Sequence, residues 1–139
     1  MKKHSFKLDG RNVQFHEYEH RNRFEDACRR YEGSDISSNI EAEAGALFID
    51  RADGEEWFYI VRYPSGTPFV TLVHEFVHIA LFISHRSDHE CWYGEYVPYL
   101  VSALMGEWIE WKGLPKPDDD YFVDARRLNE IYLPSGIAD

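Results

Sequence analysis

Residues 69–83 read Phe-Val-Thr-Leu-Val-His-Glu-Phe-Val-His-Ile-Ala-Leu-Phe-Ile, an apolar run broken only by Thr71, His74, Glu75 and His78. Fifteen residues is too long for an ordinary strand, and apolar side chains occupy most of the circumference, so the stretch predicts a buried helix. Residues four apart lie one above the other on a helix, which places the imidazoles of His74 and His78 on one side. His74-Glu75-Phe76-Val77-His78 is an HExxH motif, the helical pattern by which two histidines reach one zinc ion while the intervening glutamate acts as general base. Burying these three polar groups without partners would cost several kcal/mol, to order of magnitude. A Zn2+ ion, held by His74 and His78 with Glu75 beside the bound water, is the expectation that relieves this cost.

Such a site takes a third protein ligand. The candidates downstream are His85, His89, Glu90, Cys91 and Glu95. His85 shares the helical face, but continued helix would carry it about 10 Å along the axis. The HExxHxxGxxH pattern fails as well, since Leu81 and Ser84 stand at its glycine and third histidine. Glu95 is the best placed, at the start of a second long apolar segment, Glu95 to Lys112, expected to return alongside the first helix with its opening turn near the histidines. His89 is the next candidate. Pro98 suits the first turn of that helix, and Gly113 with Pro115 suits its end.

Upstream, residues 45–51 and 56–63 flank Ala52-Asp53-Gly54 and predict an antiparallel hairpin. Phe6, Leu8, Val13 and Phe15 around Asp9-Gly10 suggest another. His20 to Tyr31 carries Phe24, Ala27, Cys28 and Tyr31 at helical spacing, a surface helix ended by Gly33. After the acidic run Asp118 to Asp120, Phe122, Ala125, Leu128 and Tyr132 mark a possible last helix. The chain is therefore read as a single α+β domain over 1–139, with two helices against a small antiparallel sheet and the motif-bearing core at about 45–112.

Composition narrows the function. The 139 residues carry 15 Lys plus Arg against 25 Asp plus Glu, a net charge of −10. That balance disfavours nucleic acid as a partner, because such proteins use cations to neutralise phosphates. The basic residues Arg21, Arg23, Arg29 and Arg30 are interleaved with Glu25, Asp26 and Glu32. Cys28 and Cys91 make neither a disulfide framework nor a CxxC pair. The longest apolar run falls short of the roughly 20 residues that span a membrane. No apolar segment follows the two lysines at the start, so a cytoplasmic protein is expected. His4, His16 and His20 are scattered and expected at the surface.

The stretch TLVHEFVHIALFI, a short polar connection and then GEYVPYLVSAL resemble the small zincin-like metallopeptidases of tailed bacteriophages and prophages, and more distantly the gluzincins. The resemblance covers roughly residues 56 to 105. It implies a minimal zincin-like fold, His74, His78 and Glu95 as metal ligands, Glu75 as base, and Tyr99 in the tyrosine position that follows the acidic ligand. The implied activity is a zinc-dependent peptidase or amidase acting on a peptide or protein by metal-activated water. Tyr99 would then donate to the oxyanion, although a tyrosine packed into the core reads equally well. Strand 57–63 would offer a free edge to an extended peptide. The alternative is a catalytically idle, metal-stabilised accessory or protein-binding module.

Overall fold

The computed structural model describes residues 1–32, 44–50, 54–63, 69–86 and 95–115. Seven elements run in the order β1 (Lys2–Leu8), β2 (Arg11–Glu17), α1 (Arg21–Glu32), β3 (Ala44–Asp50), β4 (Glu56–Arg62), α2 (Phe69–His85) and α3 (Tyr96–Lys112). The segments around Asp88 and Cys91, the Asp118–Asp120 run and the expected last helix lie outside the described residues. The first hairpin turns through Asp9 and Gly10, both with positive φ (51° and 71°). This is the left-handed pair that a two-residue turn needs to match strand twist, and it brings Leu8 opposite Arg11. β3 and β4 form the second hairpin, with Ala44 opposite Arg62 and Asp50 opposite Glu56.

The two hairpins join into one four-stranded sheet, ordered β1-β2-β4-β3. The join corrects the expectation of an antiparallel sheet: β2 and β4 pair in parallel, Asn12 beside Trp57 and Glu17 beside Arg62. A parallel pair needs a crossover connection, which here contains α1 and β3. The period-2 alternation of β2 and β4 tells which residues share a face and says nothing of which strand lies beside which. The pairing also makes β4 an inner strand, so strand 57–63 has no free edge to offer a peptide.

The alternation along β2 and β4 builds two cores. Val13 and Phe15 of β2 and Phe58 and Ile60 of β4 meet Leu72, Phe76, Ile79 and Ile83 of α2 and Leu100, Leu104 and Trp108 of α3. On the opposite face, Tyr59 and Val61 meet Phe24, Ala27 and Cys28 of α1. The domain is thus α+β in content and three-layered, with α1 on one side of the sheet and α2 with α3 on the other. Burying an aliphatic or aromatic side chain of this kind contributes about 1.5–3 kcal/mol. α3 ends where its sequence predicts, with Gly113 left-handed (φ 64°) and its N–H bonded to the Glu110 carbonyl, while the Leu114 N–H reaches the Ile109 carbonyl. These paired bonds satisfy carbonyls that the helix end would leave unmade.

The directions of α2 and α3 follow from their contacts. Arg86, just past α2, accepts a hydrogen bond on its carbonyl from the Arg11 guanidinium and donates Nε to Glu56 at 3.1 Å. Tyr96, which opens α3, hydrogen-bonds Asp9 in the β1–β2 turn. At the other end of α3, Lys112 meets Glu17. The end of α2 and the start of α3 therefore sit together beside the β1–β2 turn, and the helices run antiparallel.

Candidate functional site: the histidine ridge of α2

α2 buries Leu72, Glu75, Phe76, Ile79, Ala80 and Ile83 along one side. His74 and His78 lie on the other side, exposed, together with Val70, Val77 and Leu81. The expectation of a helix buried around its circumference is corrected accordingly: the apolar run is wider than the stripe the core uses. The desolvation argument for a metal fails with it, because both histidines can be hydrated.

The motif geometry itself is present. The Nε2 atoms of His74 and His78 are 3.1 Å apart, and the rings meet edge to face with centroids at 4.7 Å. Phe82, one turn further on, stacks with His78 at 6.3 Å. Glu75 is rotated about 100° from His74 and is only 9 % exposed, on the flank that turns toward the core.

Glu95 does not join them. α2 continues for two turns beyond His78 to His85, about 10 Å of helix, so the opening turn of α3 meets the end of α2 and not its middle. Tyr99 stands in that same opening turn, its N–H bonded to the Glu95 carbonyl at 3.0 Å and its ring half-buried against the main core. Among the described residues, no group of three or more His, Cys, Asp or Glu is placed to hold a metal ion. The Zn2+ expected from the sequence is overturned on this ground: the described residues bring two imidazoles together and place no third ligand with them. The physical reason is helix length. The expected helix over 69–83 runs to His85, so α3 opens beside that end, about two turns past the histidines, and its first turn does not return to them.

Of the other histidines, His16 and His4 differ from the expected surface placement, and His20 agrees with it. His16 is 2 % exposed; its Nδ1 faces the Tyr18 hydroxyl at 3.0 Å, its Nε2 bonds Gln14, and Gln14 donates in turn to the Ser5 hydroxyl. His4 is half-buried, 2.7 Å from Glu107, with its ring stacked between Phe6 and Trp111. His20 is exposed, and its carbonyl accepts from Arg23 and Phe24 at the start of α1. On α1, Arg21 and Arg29 pair with Glu25 and Asp26, which dilutes the basic cluster as the sequence suggested.

A second polar assembly escaped the sequence altogether. Glu17 at the end of β2 is buried and takes Lys112 Nζ at 2.9 and 3.0 Å, while Arg62 Nε approaches it at 3.6 Å. Arg62 also lies over the Trp108 ring at 4.9 Å, and Lys112 lies over Trp111 at 4.9 Å. Burial holds the Arg62 guanidinium below its ordinary pKa, and the Glu17 carboxylate opposes that shift. The three charges are far apart in sequence. Only the inward parity of Arg62, which shares the strand face of Phe58 and Ile60, carried a signal.

A polar cleft of about 270 Å³ lies at the β1–β2 turn, lined by Gly10, Arg11, Asn12 and Glu56. It sits at the far end of α2 from the histidines. Among the described residues, no helix is long and apolar enough to cross a membrane. Comparison with known protein families, with curated proteins and with solved structures returns no match.

Proposed function

We propose that the exposed ridge of α2 around His74 and His78 is a hydrolytic site acting on the amide bonds of a peptide or protein. One observation carries the reading: the two Nε2 atoms lie 3.1 Å apart on the open side of the helix. Two imidazole nitrogens at that distance share a proton, one donating and the other accepting. Histidine is the side chain best suited to acid and base work near neutrality. In the proposed step the hydrogen bond between the two nitrogens opens, a water gives its proton to the freed lone pair of the accepting Nε2, and the hydroxide adds to an amide carbonyl. The imidazolium then returns the proton to the leaving amine. Glu75, the acidic residue of the motif, lies 9 % exposed on the adjacent flank of the helix. This keeps the amide chemistry implied by the resemblance to the phage zincin-like peptidases and assigns no step to a metal.

The exposed apolar residues flanking the histidines favour a second reading. Val70 is 74 % exposed, and Val77 and Leu81 share its side of α2, a composition that also suits a protein-binding surface. Hydrolysis of a fluorogenic peptide library separates the two. For the enzyme, His74→Ala and His78→Ala lose at least about 100-fold in rate, and Glu75→Gln loses about tenfold or more, with the circular dichroism unchanged. An inactive wild type that binds a peptide, with binding lost in Val70→Asp, would select the binding module.

A further inference from the structure

The solvent sides of α1 and α2 are unlike. From Asn22 to Arg29, α1 exposes Asn22, Arg23, Asp26 and Arg29, a hydrated polar face. From Val70 to Leu81, α2 exposes Val70, His74, Val77, His78 and Leu81, with no Asp, Glu, Lys or Arg among them. Glu75 is the one such residue in that stretch, and it is buried on the other flank. Val70, His74, Val77 and Leu81 follow one another at steps of four, three and four, the spacing of a seam between paired helices. A helix face left in water is ordinarily polar or charged, so an uncharged, largely apolar seam marks a surface for a partner.

We propose that this seam pairs with the same seam of a second copy of the chain, the two α2 helices antiparallel about a two-fold axis level with Glu75 and Phe76. Two observations select a second copy. The spacing reads the same in both directions, so a single register sets Val70 against the partner's Leu81 and His74 against the partner's Val77. Each contact then occurs twice, as an isologous interface requires, and the assembly closes at the dimer. Charge is the second. Each copy carries −10, so two copies repel on average, and this face lets them meet without setting one carboxylate against another. The seam is three turns long, about 16 Å, and so small an interface implies a weak dimer, with a Kd of about 50 μM or higher. Pairing also covers His74 and His78. That consequence, unlike the pairing, rests on the hydrolytic reading of the ridge, in which the monomer is the active form.

The test is sedimentation velocity on the full chain from about 1 to about 500 μM, where a reversible monomer–dimer equilibrium is expected. Val70→Lys and Leu81→Glu change exposed positions and leave the fold intact. Each alone buries a charge against an apolar side chain of the partner and weakens the dimer by about tenfold or more. The double variant V70K/L81E recovers to within about threefold of wild type, because the introduced lysine of each copy faces the introduced glutamate of the other. Within one copy the two positions are about 16 Å apart along the helix, too far to pair. A monomer at every concentration overturns the proposal, as does a dimer that neither single variant weakens. Single variants that weaken the dimer with no recovery in V70K/L81E overturn the antiparallel register, and the proposal with it. Sedimentation uses no substrate, so its outcome is separate from that of the hydrolytic reading, which is decided by peptide turnover at about 1 μM protein, where the monomer prevails.

Discussion

The α2 ridge and the Glu17–Arg62–Lys112 assembly lie on the same side of the sheet and treat polar groups in opposite ways. On the ridge, two histidines stand in solvent and meet each other. At the end of α3, a buried carboxylate is held by two cations that themselves lie over Trp108 and Trp111. The two exposed histidines of the motif are thus expected to matter little to the fold, and the buried charges belong to no motif. Such a division is expected where a site is grafted onto a scaffold that folds for other reasons.

The strongest way to break this comparison is Glu17→Gln. It leaves Arg62 and Lys112 without their carboxylate, and urea unfolding should register a loss of about 3 kcal/mol or more; a change below about 1 kcal/mol would place the assembly among ordinary surface pairs. Adding Arg62→Met removes a second buried charge. The double variant is expected to regain more than about 1 kcal/mol over Glu17→Gln, because an apolar side chain suits that position beside Trp108. His4→Ala takes away both the Glu107 contact and a ring stacked on Trp111, with a smaller loss of about 1 kcal/mol. On the ridge, His74→Ala and His78→Ala should stay within about 0.5 kcal/mol of wild type. The smallest effect is expected from chelation: dialysis against EDTA should move Tm by less than about 1 °C, and a larger fall would show that a bound metal stabilises the fold.

Local features were legible in the sequence. The Asp9-Gly10 turn, both hairpins, the course of α1 and the Gly113 stop all follow from residues close to one another in the chain. The imidazole pair was legible for the same reason, since i and i+4 are neighbours on any helix. What failed were statements that depend on how far an element runs and what it lies beside. An apolar run fixes a helix without fixing the width of the side it buries, so His74 and His78 read as interior when they are exposed. The partner of Glu95 depended on where along α2 the next helix opens, and α3 opens beside the end of α2, two turns past His78. His16 read as a surface residue because Gln14 and Tyr18, which hold it, signal burial only once β2 is an inner strand.

The parallel pairing of β2 with β4 also sets an order of events in time. β1 and β2 need only the Asp9-Gly10 turn to meet, a local closure on the microsecond scale. β2 must then keep its second side unpaired until β4 has been made, because Asn12 waits for Trp57 and Glu17 for Arg62. Closing so long a loop before its contacts form is the entropic cost that slows folding in chains with non-local pairing. During synthesis the first hairpin therefore emerges with Val13 and Phe15 uncovered. The three lysines of β1 lie on that same early unit, where their charge opposes its aggregation while the rest of the chain arrives.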